Sequence, residues 1–281
     1  MMKIKIHTSV LALSVALTLL AGTAILEAKD APFSVHADEI DYDMQSGAGT
    51  ASGKTTIFQD GRTTVAGGGG NFNSKDKSAH LRGGIVSDKD DEHLRSSELI
   101  MHNENYMSAV GNANITKGDK TLVANQVDYH KDSNFMETIG SNARLTSTDG
   151  SWLNAAKITY SMDSGVANAT GGVTLASPPR KLTGSGDTAV YETKSGGHID
   201  LIGNAHATQD GNSVSGNRLR VYNTNSHTEA VGNVKIVYYP KPQQPKTTAV
   251  AMQNGKGAGK VDKAAKTGAK THGTAKAEVI A

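Results

Sequence analysis

Between Val35 and Val237 an apolar or aromatic residue is followed about eleven positions later by glycine, seven times over: Tyr42/Gly53, Phe72/Gly83, Ile100/Gly111, Tyr129/Gly140, Tyr160/Gly171, Tyr191/Gly203 and Tyr222/Gly232. Successive glycines stand 30, 28, 29, 31, 32 and 29 residues apart. A period of that size restricts the chain to a stacked architecture in which each unit packs mainly on its neighbours. Such a body presents a continuous surface along its length. Function is therefore expected along the stack and not at one catalytic point.

Each glycine sits inside a strand pattern. The positions two before, two after and four after it are small or aliphatic: Ala51/Thr55/Ile57, Ala109/Ala113/Ile115, Ala169/Val173/Leu175, Leu201/Ala205/Ala207 and Ala230/Val234/Ile236. The residues between them are mostly polar (Asn112, Asn114, Asn204, His206, Asn233, Lys235). This is period-two alternation, a strand with one buried face. Glycine in mid-strand weakens pairing unless the chain bends or bulges there. Seven at equivalent places predict a corner at which each strand passes from one sheet to another.

The tyrosine-bearing segment carries a second corner by a different device. The apolar alternation skips three residues from Ala37 to Ile40, from Ala124 to Val127 and from Ala155 to Ile158. One extra residue flips the faces unless a bend restores them. Each repeat thus supplies two long bent strands, about fourteen in all, joined by turns such as Gln59-Asp60-Gly61-Arg62, Lys117-Gly118-Asp119, Thr148-Asp149-Gly150 and Gln209-Asp210-Gly211-Asn212. Turns this short predict antiparallel neighbours. At ~4.8 Å per strand the stack would run roughly 65 Å. No window sustains a helical period, and an aromatic content of 5% suits thin layers better than one thick core. The fold class expected is all-β, with two facing sheets of bent strands and an elongated body over residues 34–239.

The two ends read differently. Residues 1–28 have a basic start (Lys3, Lys5) and an apolar run from Val10 to Leu26, with small residues at Gly22, Ala24 and Ala28. They read as a secretory signal peptide. An uncleaved membrane anchor is the alternative, since the run approaches the ~20 residues that span a bilayer. With no cysteine in the chain, disulfides and a lipoprotein anchor are excluded. Residues 240–281 follow a proline-rich break and carry eight lysines against Asp262 and Glu278, a charge of +6. They read as a disordered basic tail, either solubilising or directed at an anionic surface. The overall charge of +2 therefore conceals a repeat body at −5, which argues against nucleic acid as its partner.

Motifs for chemistry are weak. His93 and His102 flank Ser96 and Ser97 near Asp90 and Asp91, without an activating context for a nucleophile. Asp38, Asp41, Asp43 and Asp60 fall on strands and turns where carboxylates stay solvated. No spacing suggests a metal site. Gly67-Gly68-Gly69-Gly70 lacks the Lys-Ser/Thr of a phosphate loop and instead predicts a sharp bend or a close backbone approach. Trp152 reads as packing near a turn. The chain is not expected to be an enzyme or to hold a cofactor.

The phrase Ala37-Asp38-Glu39-Ile40-Asp41-Tyr42-Asp43, echoed by Ala124-Asn125-Gln126-Val127-Asp128-Tyr129, resembles the Ala-Asp-x-x-x-Tyr-Asp element of OstA-like domains. Gly111-Asn112-Ala113-Asn114-Ile115 and Gly232-Asn233-Val234-Lys235-Ile236 resemble the Gly-Asn-Val-x-Ile element that follows it. The resemblance, to the periplasmic LptA-type proteins of lipopolysaccharide transport, covers roughly residues 34 to 238. The seventh copy and the basic tail depart from that pattern. The family implies a β-jelly-roll whose apolar interior carries lipid A chains while the sugars stay outside. It also implies end-to-end joining of units into a bridge between inner and outer membranes, with other envelope transport components as partners. An inner-membrane-anchored LptC-type partner is the alternative role.

On that implication the groove would be lined by Ile57, Ile85, Ala109, Ile115, Leu145, Ala169, Val173, Leu175, Val234 and Ile236. Buried methylenes contribute about 0.8 kcal/mol each, so roughly ten of them could hold a lipid without a specific polar contact. The competing reading of the same residues is a filled core, in a structural or adhesive β-repeat stalk without a lipid ligand.

Overall fold

The computed structural model describes residues 33–59, 61–192, 197–222 and 227–239. The segments read as leader and basic tail, and Asp60, lie outside the described residues. The described chain forms twenty-two strand segments, all paired antiparallel. These are the fourteen bent strands expected. Six run unbroken through the bend, among them Tyr106–Lys117, Lys120–His130 and Val166–Ser177. The other eight are broken there into two arms, as in Ala48–Ser52 with Thr55–Gln59. A 3-10 turn, Pro178–Arg180, is the helical element of the described residues.

Two ladders result, here called walls. The first arms of one wall are Glu39–Tyr42, Ala48–Ser52, Gly70–Asn73, Ser78–Leu81 and Glu98–Asn103, each hydrogen-bonded to the next. The second wall begins with Phe33–His36, Thr55–Gln59, Arg62–Ala66, Ile85–Lys89 and Glu92–Ser96. Each strand gives one arm to either wall. Among the described residues, the walls are therefore joined along the corner by continuous chain, and no strand pair links their far edges. We call the space between them the wedge and its open side the mouth.

All seven repeat glycines have positive φ, from +73° at Gly203 and Gly232 to +99° at Gly140. The bend at Gly111 shows why. Val110 pairs with Gln126 and Ala113 pairs with Ala124, so one strand uses an extra residue at the corner. Gly111 and Asn112 occupy that bulge at φ +78° and +50°. Glycine adopts this conformation freely, and asparagine is among the few side chains that tolerate it. The same irregularity recurs between Thr170 and Val173 and between Ile202 and Ala205, and Asn204 and Asn233 repeat the asparagine. The Gly-Asn pairs of the sequence are thus the bulged corners of the jelly-roll.

The run Gly67–Gly70 is the close approach expected of it. Gly67 N–H donates to Gly84 O at 3.2 Å, and a Cβ on Gly67 would lie 2.3 Å from Gly83 O. Turn chemistry follows the sequence as well. Gln59 pairs with Arg62, Lys117 with Lys120 and Gln209 with Asn212 across short loops. Trp152, beside the 148–151 turn, packs its ring 5.0 Å from the Arg144 guanidinium, a cation–π contact.

Candidate functional site

The site is the wedge interior, and it is assembled by register. On the second wall, Leu94, Ile115, Leu122, Leu145, Leu153 and Leu175 stand opposite one another on successive strands. Closer to the corner the residues are small: Ala113 faces Ala124, and Ala143 faces Ala155. On the first wall the line nearest the mouth runs Met101, Met107, Tyr129, Met136, Tyr160, Ala167, Tyr191, Ile199 and Val221. One apolar cluster unites these lines. Methionine is unbranched and polarisable, so a Met-rich edge adapts to different neighbours.

Of the residues expected to line the groove, Ile85, Ala109, Ile115, Leu145, Ala169, Val173 and Leu175 are buried in this cluster, and Ile57 is partly buried against it. Val234 and Ile236 are placed elsewhere. They are 47% and 69% exposed, because Lys235–Val237 is the last arm of its wall among the described residues and nothing there covers them. Leu122, Leu153 and Leu219 belong to the interior equally but were missed. Their signal was the alternation in the strands that lack the repeat glycine, such as Leu122, Ala124.

The repeat marker also shifts by one residue at two copies. Met101, not Ile100, lies on the mouth line, and Val221, not Tyr222, ends it. Tyr222 turns outward and donates its hydroxyl to Glu229 at 2.9 Å. Tyr129, Tyr160 and Tyr191 are buried at the mouth. Burial pushes the Tyr129 hydroxyl above its ordinary pKa, and the Asp163 carboxylate adds to the shift.

The facing edge of the second wall is charged. Lys89, Glu92, Lys117 and Lys120 occupy successive rungs. Glu92 accepts from Arg62 Nη2 at 2.5 Å and lies 2.8 Å from Lys117 Nζ. Lys120, nearly enclosed, donates to Ser147 Oγ at 2.9 Å and pairs with Asp119. The hydrogen bond from Lys120 holds the Asp119 carboxyl below its ordinary value. A cavity of about 70 Å³ opens where this edge meets Leu81, Leu99, Met101 and Met107. The mouth therefore has one apolar and one charged lip.

The weak chemical motifs are dispersed by the fold. His93 pairs with Asp88 at 2.7 Å on the second wall, while His102 meets Ser108 Oγ at 2.9 Å on the first. Ser97 is engaged with Gly111 O. Asp38 accepts from the Lys54 amide, and Asp43 from that of Gln45 in a turn.

Residues 93–228 match the family described as LptA/(LptD N-terminal domain) LPS transport protein. Among solved structures the chain is similar to the crystal structure of LptH, the LptA homologous periplasmic component of the conserved lipopolysaccharide transport device from Pseudomonas aeruginosa. Identity is 14%, with 74% of this chain and 96% of that chain covered at a TM-score of 0.25, too low to carry an argument. No curated protein matches the sequence. Bulged Gly-Asn corners joining two antiparallel walls thus run through the stretch, residues 93–228, that is similar to domains of the LptA type.

Proposed function

We propose that this protein binds lipopolysaccharide, carries its lipid A acyl chains in the wedge, and forms part of a bridge between inner and outer membranes across the periplasm. The observation that carries this reading is the absence, among the described residues, of any strand pairing across the mouth. Parting the lips therefore breaks no ladder hydrogen bond among the described residues. What an entering chain displaces is apolar packing, which its own methylenes replace at about 0.8 kcal/mol each. Similar lines of aliphatics along the stack offer a lipid nearly equivalent positions, so movement along the wedge has a low barrier.

A periplasmic location goes with this reading, with residues 1–28 as a cleaved leader and 240–281 as a basic segment. No helix among the described residues is long and apolar enough to cross a membrane. The end arms support assembly. Glu39–Tyr42 and Thr228–Val231 are each paired on one side only among the described residues, and Ile40 and Val231 are exposed there. An unpaired strand edge is a template for another copy or for a related domain.

The competing reading is a stalk with a dry core, and the close burial of Ile115 and Val173 favours it. Photocrosslinking decides between them. A photoreactive residue at Ile115 or Val173 should capture labelled lipopolysaccharide, and one at the outward Asn114 should not. A folded protein that gives no adduct at either inward site would establish the stalk.

A further inference from the structure

We propose that the Arg62–Lys117 pair on the charged lip of the wedge is an anion site, which holds the phosphate of an acylated ligand while the chain enters the adjoining cavity. The inference rests on the lipid reading above and adds to it the group that the protein recognises. Arg62 and Lys117 share a single carboxylate, with one Glu92 oxygen given to each. These three groups therefore sum to one positive charge at a place where the Arg62 and Glu92 side chains are only 12% exposed, while Asp90 and Asp91 stand on the turn before Glu92. Arg62 is also incompletely satisfied. Its Nη1 lies 3.4 Å from Ser87 Oγ, and its buried Nε–H has no hydrogen-bond partner among the described residues.

A buried cation in surplus and an orphaned donor both cost free energy that an anion would relieve. Guanidinium N–H groups present a planar fork that matches phosphate oxygens, and the neighbouring lysines add point charges. Asp119 already engages Lys120, so the surplus centres on the Arg62–Lys117 pair. His93, which also borders the cavity, has Asp88 as its partner. The position selects an amphiphile over a bare ion. The same cavity that meets Arg62 and Glu92 is walled by Ile57, Leu81, Leu99, Met101 and Met107. A phosphate on the lip puts the first methylenes of its chain against these residues, with the polar remainder toward solvent.

The test is calorimetry on the whole protein with three probes below micellar concentration: dodecyl phosphate, dodecyl maltoside and inorganic phosphate. We expect dodecyl phosphate to bind at least about tenfold tighter than the maltoside, the scale of one charge-assisted hydrogen bond. Arg62→Gln should remove that preference. Glu92→Gln, which frees both cations, should tighten dodecyl phosphate further, a gain that misfolding cannot mimic. Equal affinity of the wild-type protein for the two amphiphiles would overturn the anion site and leave the lipid reading standing. The same holds for a preference that Arg62→Gln does not touch. If inorganic phosphate binds as tightly as dodecyl phosphate while the maltoside is silent, the lip is a free-phosphate site and the amphiphile is overturned. Binding by none of the three overturns the anion site together with the lipid reading.

Discussion

Ser97 straps the corner of the neighbouring strand at Gly111. Its amide donates to Gly111 O at 2.9 Å, its hydroxyl donates to the same oxygen at 3.2 Å, and a Cβ on Gly111 would lie 2.6 Å from Ser97 Oγ. The corner is therefore held by the conformation of one residue and by a contact that leaves it no room. Gly172, at a similar φ of +81°, has open space where its Cβ would be.

Gly111→Ala should accordingly cost more than Gly172→Ala. Left-handed backbone alone costs an alanine about 1–2 kcal/mol, and the Ser97 clash adds to that at Gly111. Urea denaturation of the two variants checks this. Equal midpoints would mean that Ser97 moves aside freely.

Leu122 is fully enclosed in the interior line, so Leu122→Ala should cost about 2–5 kcal/mol. Ile236→Ala, at an exposed position on the terminal arm, should stay within about 0.5 kcal/mol of wild type. Chemical denaturation at neutral pH measures both. A large loss at Ile236 would show that the end arm is covered in the folded protein.

On the outer face of the first wall, Asp200 is nearly buried and accepts from Arg220 Nε at 2.8 Å and Nη2 at 2.9 Å, and also from Arg218. Burial by itself would raise its pKa, but the hydrogen bonds from Arg220 and Arg218 outweigh it and hold the carboxyl below its ordinary value. A depressed carboxylate contributes its full stability above the unfolded pKa of about 3.9 and loses it as pH falls through the folded value. Asp200→Asn should cost about 2 kcal/mol at pH 7, in line with charged hydrogen bonds to half-exposed partners. The gap from wild type should close as pH falls below about 4. Thermal unfolding between pH 2 and 7 gives the comparison, and a gap that widens in acid would refute the assignment.

If the end arms join copies of this chain, light scattering should give a mass that rises with concentration, and Val231→Lys or Ile40→Lys should hold it at the monomer. Both positions are exposed apolar residues on arms with one free edge among the described residues. A wild-type protein that stays monomeric at high concentration excludes self-assembly through these edges.

Much of the architecture was legible because its determinants are local. Alternation around Gly111 and Gly171, the skipped step from Ala124 to Val127 and the short turn at Gly118 each act within a few residues. Fourteen bent strands follow from them. The interior positions keyed to the glycine were legible for the same reason, from Ala109 and Ile115 to Val173 and Leu175. The mouth was harder. A single-residue change in loop or bulge reverses which side chains face inward. Ile100 carried the repeat marker while Met101 lies on the mouth line, and Tyr222 gave its place to Val221.

By itself, then, the sequence determined the period, the two walls and the corner, since glycine and asparagine at positive φ and period-two alternation act through the chain's own backbone. Only the tertiary structure decided what the walls enclose. Glu92 stands thirty residues from Arg62 and twenty-five from Lys117, so nothing local announces that the three share one lip. Val234 and Ile236 follow the same local rule as Val173 and Leu175, yet they are exposed because burial depends on the next layer, and their arm is the last of its wall among the described residues.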